Sequence, residues 1–272
     1  MDKVDISDRD DLIRELEENL WETWSMFGRG PGCSLHEKDD LLWFETPIPI
    51  IPYNGVLRAK LQANVDQRIG SIAEHFARKK AQFMWIVHPS SRPSDLRDRL
   101  QSRGLKDVEP IPGMTRSLDD LPKSPPLPDG IEIRKIADEQ DASAFYQFAA
   151  WRWNVPDKYK ERYPAIAKIF RFGQSGSRAH MWQAWRAGQP VAKAGMYLGA
   201  RSAGIYAVVT KPEARRLGLA RTLTLTALHK ARSLGYRLAV LHSTPMAESL
   251  YRSLGFDTIA EFRLFASEEV HV

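Results

Sequence analysis

The chain has 272 residues, of which 43% are apolar and 27% charged, and its formal net charge is +5. Those proportions exclude an intrinsically disordered chain and allow one large domain or two small ones. The basic residues are scattered, which argues against a nucleic-acid surface. No apolar run approaches the roughly 18 residues that a membrane span requires.

Residues 1–5 are polar and lack the basic start and apolar stretch of a signal peptide. Cys33 is the single cysteine, so no intrachain disulfide can form. The cytoplasm is the expected compartment. Zinc-ligand spacing is missing, and no metal is expected.

Taken in chain order, the pattern predicts a helix over 8–26, strands over 41–44 and 56–61, and a helix over 65–81. A buried strand over 83–87, a helix over 94–103 closed by Gly104 and a strand over 114–118 follow. The stretch 119–130 holds four prolines and no apolar period, so it reads as a linker. This gives domains at 1–122 and 131–272, joined by the proline-rich residues 123–130.

The second half opens with a strand over 131–134 and helices over 138–150 and 158–172. Strands over 180–185, 191–198 and 204–210, separated by short turns, make an antiparallel meander. Ala220, Leu223, Ala227, Ala231 and Leu234 then fall on one helix face. A strand over 236–242, a helix over 246–254 and a strand region over 256–265 close the chain. The fold class is α/β or α+β with a mixed sheet. The two halves share the order of their closing elements, and the helices over 94–103 and 246–254 both end on Gly-Leu or Gly-Phe.

The strongest chemical signal is the segment 209–220, Val-Thr-Lys-Pro-Glu-Ala-Arg-Arg-Leu-Gly-Leu-Ala. A strand feeds a short loop, and the loop feeds a helix. First-turn amides have no partner inside the helix and carry the positive end of its dipole, so an anion is favoured there. Gly218 and Ala220 leave the backbone open to close approach, while Arg215 and Arg216 add charge. No Lys-Ser or Lys-Thr follows the glycine, which excludes a nucleotide P-loop. A plain strand-to-helix turn with a basic rim explains the loop equally well when it is taken alone.

About thirty positions later comes Ala247-Glu248-Ser249-Leu250-Tyr251-Arg252-Ser253-Leu254-Gly255-Phe256. Arg-x-x-Gly-x-Ala after a strand, then helix, strand and Leu-Tyr-x-x-Leu-Gly-Phe, resembles the GCN5-related N-acetyltransferase (GNAT) superfamily. Its motif A corresponds to 204–225 and its motif B to 238–256. The resemblance implies two GNAT-like halves, each a mixed, mostly antiparallel twisted sheet flanked by helices. It also implies an acyl-CoA-dependent N-acyltransferase that moves an acetyl group from acetyl-CoA to an amine of a small molecule or peptide. An acyl-CoA-binding or partner-binding module without catalysis is the alternative. Oligomerisation is left open.

The same resemblance implies roles for particular residues. Backbone groups of Val208, Val209 and Thr210 would pair with the pantetheine arm. Arg215, Arg216, Leu217, Gly218, Leu219, Ala220 and Arg221 would surround the pyrophosphate, and Ser243 would join the cofactor site. The strands on either side would splay apart to admit the thioester. Tyr251 would protonate the leaving thiolate, since a phenol with its usual pKa of about 10 is a proton donor at neutral pH. Many relatives carry a Glu on the strand before the loop, and 204–210 has none. Glu248, His242, Tyr206 and His180 are then the base candidates, or a water held by Ser243 or Thr244. Trp151, Trp153 and Tyr206 are the expected acceptor-side residues, with aromatic core packing the competing role for the tryptophans. The first half resembles a degenerate GNAT half with no phosphate loop, so one active site is expected per chain.

Overall fold

The computed structural model describes residues 4–267. Residues 1–3, part of the polar start read above, lie outside the described residues. The elements, in order, are α1 (Arg9–Ser25), β1 (Ser34–Lys38), β2 (Leu41–Glu45), β3 (Gly55–Ala59), α2 (Val65–Arg78), β4 (Met84–Val87), α3 (Leu96–Ser102) and β5 (Lys106–Ser117). After the proline-rich stretch come β6 (Ile131–Lys135), α4 (Glu139–Arg152), α5 (Asp157–Lys160), α6 (Arg162–Ala167), β7 (Ala179–Arg186), β8 (Gln189–Leu198) and β9 (Ala203–Thr210). The chain closes with α7 (Leu219–Ser233), β10 (Leu238–His242), α8 (Glu248–Ser253) and β11 (Asp257–Ala266).

The contacts group the chain into two compact units, each drawn from separate stretches of sequence. Among the described residues, one contains 4–19, 113–154 and 170–259; the other contains 20–112, 155–169 and 260–267. The reason lies in the strands. In the first unit β6, β7, β8 and β9 form the antiparallel meander, and α7 crosses over to β10, parallel to β9. The free edge of β10 is filled by residues 113–117 of β5, antiparallel. In the second unit β1, β2 and β3 form a meander, α2 crosses to the parallel β4, and Arg263–Ala266 of β11 fill its edge. Each half of the sequence thus lends its last strand to the other's sheet. The order of meander, crossover helix, parallel strand and antiparallel closing strand occurs in both units.

Two predicted elements change, and one strand appears that was not predicted. The strand expected over 114–118 begins at Lys106 and runs through Pro110 and Pro112. β1, Ser-Leu-His-Glu-Lys, is too polar to show a strand pattern. The helix expected over 158–172 is broken into α5, α6 and a 3-10 turn at Lys168–Phe170. Pro164 has no N–H to bond back to residue 160, so the ladder cannot run through.

In the first unit, Ala192 and Ala194 of β8 share a core with Leu223 and Ala227 of α7, with Leu241, and with Tyr251, Leu254 and Phe256. Small residues on β8 let the helix lie close to the sheet. α1 is held by the Arg201 guanidinium, which meets Asp11 at 2.8 Å and Glu15 at 2.6 Å. The second unit is centred on Val56, Ile69, Phe76, Trp85 and Phe265.

Candidate active site

β9 and β10 pair only over Ala203–Ala239, Gly204–Val240 and Ile205–Leu241. Beyond Ile205 the two strands part, and Val209 and Thr210 are paired on one side alone, with Lys193 and Ala192 of β8. The parting coincides with an irregularity in β9. Register slips between Lys193 and Gly195, and Ala207 sits at a φ of +54°. That is a β-bulge, a device that bends a strand and re-aims its backbone groups. Thr210 Oγ1 is buried without a hydrogen-bond partner.

The loop that follows places Arg215, Arg216, Leu217 and Gly218 in solvent and buries Leu219. Arg216 and Gly218 both have positive φ, 63° and 72°. Gly218 is the residue before the first turn of α7, and a side chain added there would meet nothing within 4 Å. The first ladder bond of α7 runs from Thr222 N–H to Gly218 O at 3.0 Å. The amides before Thr222 therefore lie ahead of the ladder, at the positive end of a 15-residue helix. The Arg221 side chain points elsewhere and donates to Ser253 Oγ at 2.9 Å. An open loop, free amides and two exposed arginines fit a diphosphate, and the free strand edge fits an extended amide-bearing chain.

The proton-transfer candidates divide sharply. Tyr251 is buried at 7% exposure and packs edge-on against Phe256 at 5.9 Å. Burial raises its phenol further above the ordinary value, so the proton is held throughout the neutral range. Glu248 accepts from Thr258 Oγ1 at 2.9 Å and from Arg252 at 2.7 Å. Those contacts, Thr258 first, lower its pKa and leave a weak base. The ring nitrogens of His242 are shut off from solvent, and burial drops its pKa to about 3. His180 falls to about 4 through burial and then the charges of Lys135 and Lys230. Lys230 belongs to α7, so His180 faces that helix. The Ser243 hydroxyl, buried, donates to Thr244 O at 2.8 Å. The Tyr206 hydroxyl donates to Asn19 Oδ1 at 2.8 Å.

On the other face of the sheet lies α4. Phe145 and Phe148 are buried there, while Trp151 is 48% exposed. Phe148 and Trp151 meet edge-on at 5.3 Å, and Lys211 Nζ lies 5.6 Å and 5.8 Å from their ring centres. Trp153 carries the Arg152 guanidinium at 4.7 Å. Sequence reasoning passed over Lys193, which is 2% exposed and holds its ammonium 4.4 Å from the Phe145 ring centre. The signal was there: one lysine in the strand Val-Ala-Lys-Ala-Gly-Met-Tyr-Leu.

Residues 142–256 match the model of the Acetyltransferase (GNAT) family. Over that span the chain carries a GNAT domain. The family is one of acyl-CoA-dependent acyltransferases, and the free edge, loop and Tyr251 all lie within the matched span. No curated protein sequence matches the chain. Among solved structures, a GCN5-related N-acetyltransferase from Kribbella flavida is 18% identical, with a TM-score of 0.67, and the match covers 93% of this chain and 97% of that one. A tandem GNAT protein from the clavulanic acid biosynthesis pathway is 12% identical, with a TM-score of 0.62 and coverage of 99% and 98%. A GCN5-related N-acetyltransferase from Sphaerobacter thermophilus is 16% identical, with a TM-score of 0.60 over 85% and 81%. At these identities the likeness establishes a shared fold. Among the described residues no group of three or more His, Cys, Asp or Glu is placed to hold a metal, and no helix is long and apolar enough to cross a membrane.

Proposed function

We propose that this GNAT domain transfers an acetyl group from acetyl-CoA to an amine of a small molecule or peptide. The observation that carries the reading is the parting of β9 from β10 after Ile205, directly ahead of the Gly218 loop. An extended pantetheine arm needs a strand edge with unpaired backbone groups, and Val208, Val209 and Thr210 supply one. The diphosphate would meet the amides of residues 216–221 and the charges of Arg215 and Arg216. Trp151 and Trp153 would stand on the acceptor side.

The reaction is then direct attack. The acceptor's neutral amine adds to the thioester carbon, the carbon–sulfur bond breaks, Tyr251 gives its proton to the departing thiolate, and the proton lost by the nitrogen as the amide forms restores the phenol. Backbone amides at the bulge would polarise the carbonyl. A module that binds acyl-CoA without turning it over is the second reading, favoured by the lack of a carboxylate on β9 and the engagement of Glu248 by Arg252. A thiol-release assay with acetyl-CoA and a panel of primary amines separates the two. Release above the rate without amine supports the enzyme, and none with any amine supports the binding module.

A further inference from the structure

We propose that Lys193 is the proton acceptor for the incoming amine, in place of a carboxylate on the neighbouring strand. This rests on the acetyltransferase reading above. Lys193 stands on β8 directly across from Val209, and the register slip of the bulge begins at Lys193 itself. Directly paired residues of antiparallel strands share a face. Lys193, Val209, and Gly195 with its partner Tyr206 therefore lie on one face, opposite the alanines that pack on α7. The amine is thus one strand from the free edge and beside the bend in β9.

Its surroundings are unusual for a lysine. The side chain is 2% exposed, with Phe145 at 4.4 Å and Phe148 at 5.7 Å from the ammonium. Its cross-strand partner on β7, Gln183, is 1% exposed, and Gln183 Nε2 is buried without a hydrogen-bond partner. The charged groups nearby are cations: Arg152 at the end of α4, and Lys211 against the Phe148 ring. On β6, Arg134 pairs in register with Gln183 and is bound by Glu132. Among the described residues no carboxylate pairs with Lys193. A buried ammonium without a counter-ion is costly, and neutralisation relieves that cost. Burial, with the Arg152 charge second, brings the Lys193 pKa down to about 7. A base poised at the working pH is the most effective one.

The protons balance. The acceptor ammonium gives one proton to neutral Lys193 and attacks as a free amine. The nitrogen loses its second proton as the amide forms, and that proton restores Tyr251 after the phenol has protonated the thiolate. Lys193 returns its proton to solvent, so one proton is released per turnover.

Trace labelling of the intact protein with acetic anhydride across pH, read by peptide mass spectrometry, tests this without knowledge of the acceptor. Lys193 should label with a midpoint near pH 7, against about 10.4 for ordinary lysines, and CoA should protect it. A midpoint like that of other lysines, no labelling at any pH, or labelling that bound CoA leaves unchanged would overturn the proposal. With the fastest amine of the panel, Lys193→Met should lose about a hundredfold or more in turnover and the fall in rate below neutral pH, with CoA affinity kept. Lys193→Arg, which cannot deprotonate, should not rescue it. Wild-type turnover and pH profile in Lys193→Met would sink the assignment. If calorimetry finds no CoA binding to the wild type, the acetyltransferase reading fails instead, and the labelling midpoint still reports on Lys193.

Discussion

The hydroxyl of Tyr206 donates to Asn19 Oδ1 at 2.8 Å, and Asn19 Nδ2 donates to Ser202 O at 3.0 Å. One buried amide of α1 thereby ties down Ser202, just ahead of β9, and Tyr206 within it. The strand makes room for it: a Cβ on Gly204 would lie 2.0 Å from Asn19 Oδ1 and 2.3 Å from the Tyr206 ring. Tyr206 had been expected on the acceptor side and as a base candidate; in the folded chain its oxygen is already engaged.

Gly204→Ala should therefore destabilise the protein by about 1–3 kcal/mol, the usual range for overpacking. Tyr206→Phe should cost about 1 kcal/mol for the lost hydrogen bond. Denaturant melts of both variants check this. Equal midpoints for Gly204→Ala and wild type would mean that Asn19 does not occupy that space.

Tyr251→Phe keeps the ring that packs on Phe256 and removes only the proton. Turnover should fall about a hundredfold or more, while the melting temperature and CoA affinity stay near wild type. Unchanged turnover removes Tyr251 from the reaction.

Lys193 also leaves a mark on stability. Its pKa falls from 10.5 to about 7 on folding. Between those values the unfolded chain binds more protons, so stability rises with pH across that window. The lysine is therefore a burden that is greatest below pH 7. Lys193→Met should stabilise the protein at pH 7 by several kcal/mol, on the order of 4, with the gain fading towards pH 10. A gain that does not vary between pH 7 and 10 would show an ordinary pKa. His242, brought down to about 3, acts at the acid end. Its folded pKa is depressed, so its contribution is complete above 6.5 and is lost as pH falls towards 3. His242→Phe should flatten the acid limb of a pH-stability curve.

The geometry of the Gly218 loop could be read from the sequence because it is local. The Gly218 loop and Tyr251 sit in short segments whose strand–loop–helix order carries their geometry. The meander and the crossover helix α7 were legible for the same reason, through their two- and 3.6-residue periods. What could not be read depends on pairing across the chain. The bulge at Ala207 follows from register against β8, not from any glycine. Asn19 looks like one more polar residue of an amphipathic helix until β9 is placed against it. Lys193 reads as a surface residue unless its strand is known to be covered on both faces. The exchange of β5 and β11 between the units is likewise invisible in a chain that appears divided at its prolines.

The central claim is that the Gly218 loop holds the diphosphate of acetyl-CoA, and isothermal calorimetry tests it most directly. Wild-type protein should bind acetyl-CoA with one site per chain. The double variant Arg215→Glu, Arg216→Glu should bind at least about tenfold more weakly, since two exposed charges near a phosphate are each worth up to about 1 kcal/mol. No heat of binding from wild type at millimolar acetyl-CoA, or equal affinity in the charge-reversed variant, would contradict the account.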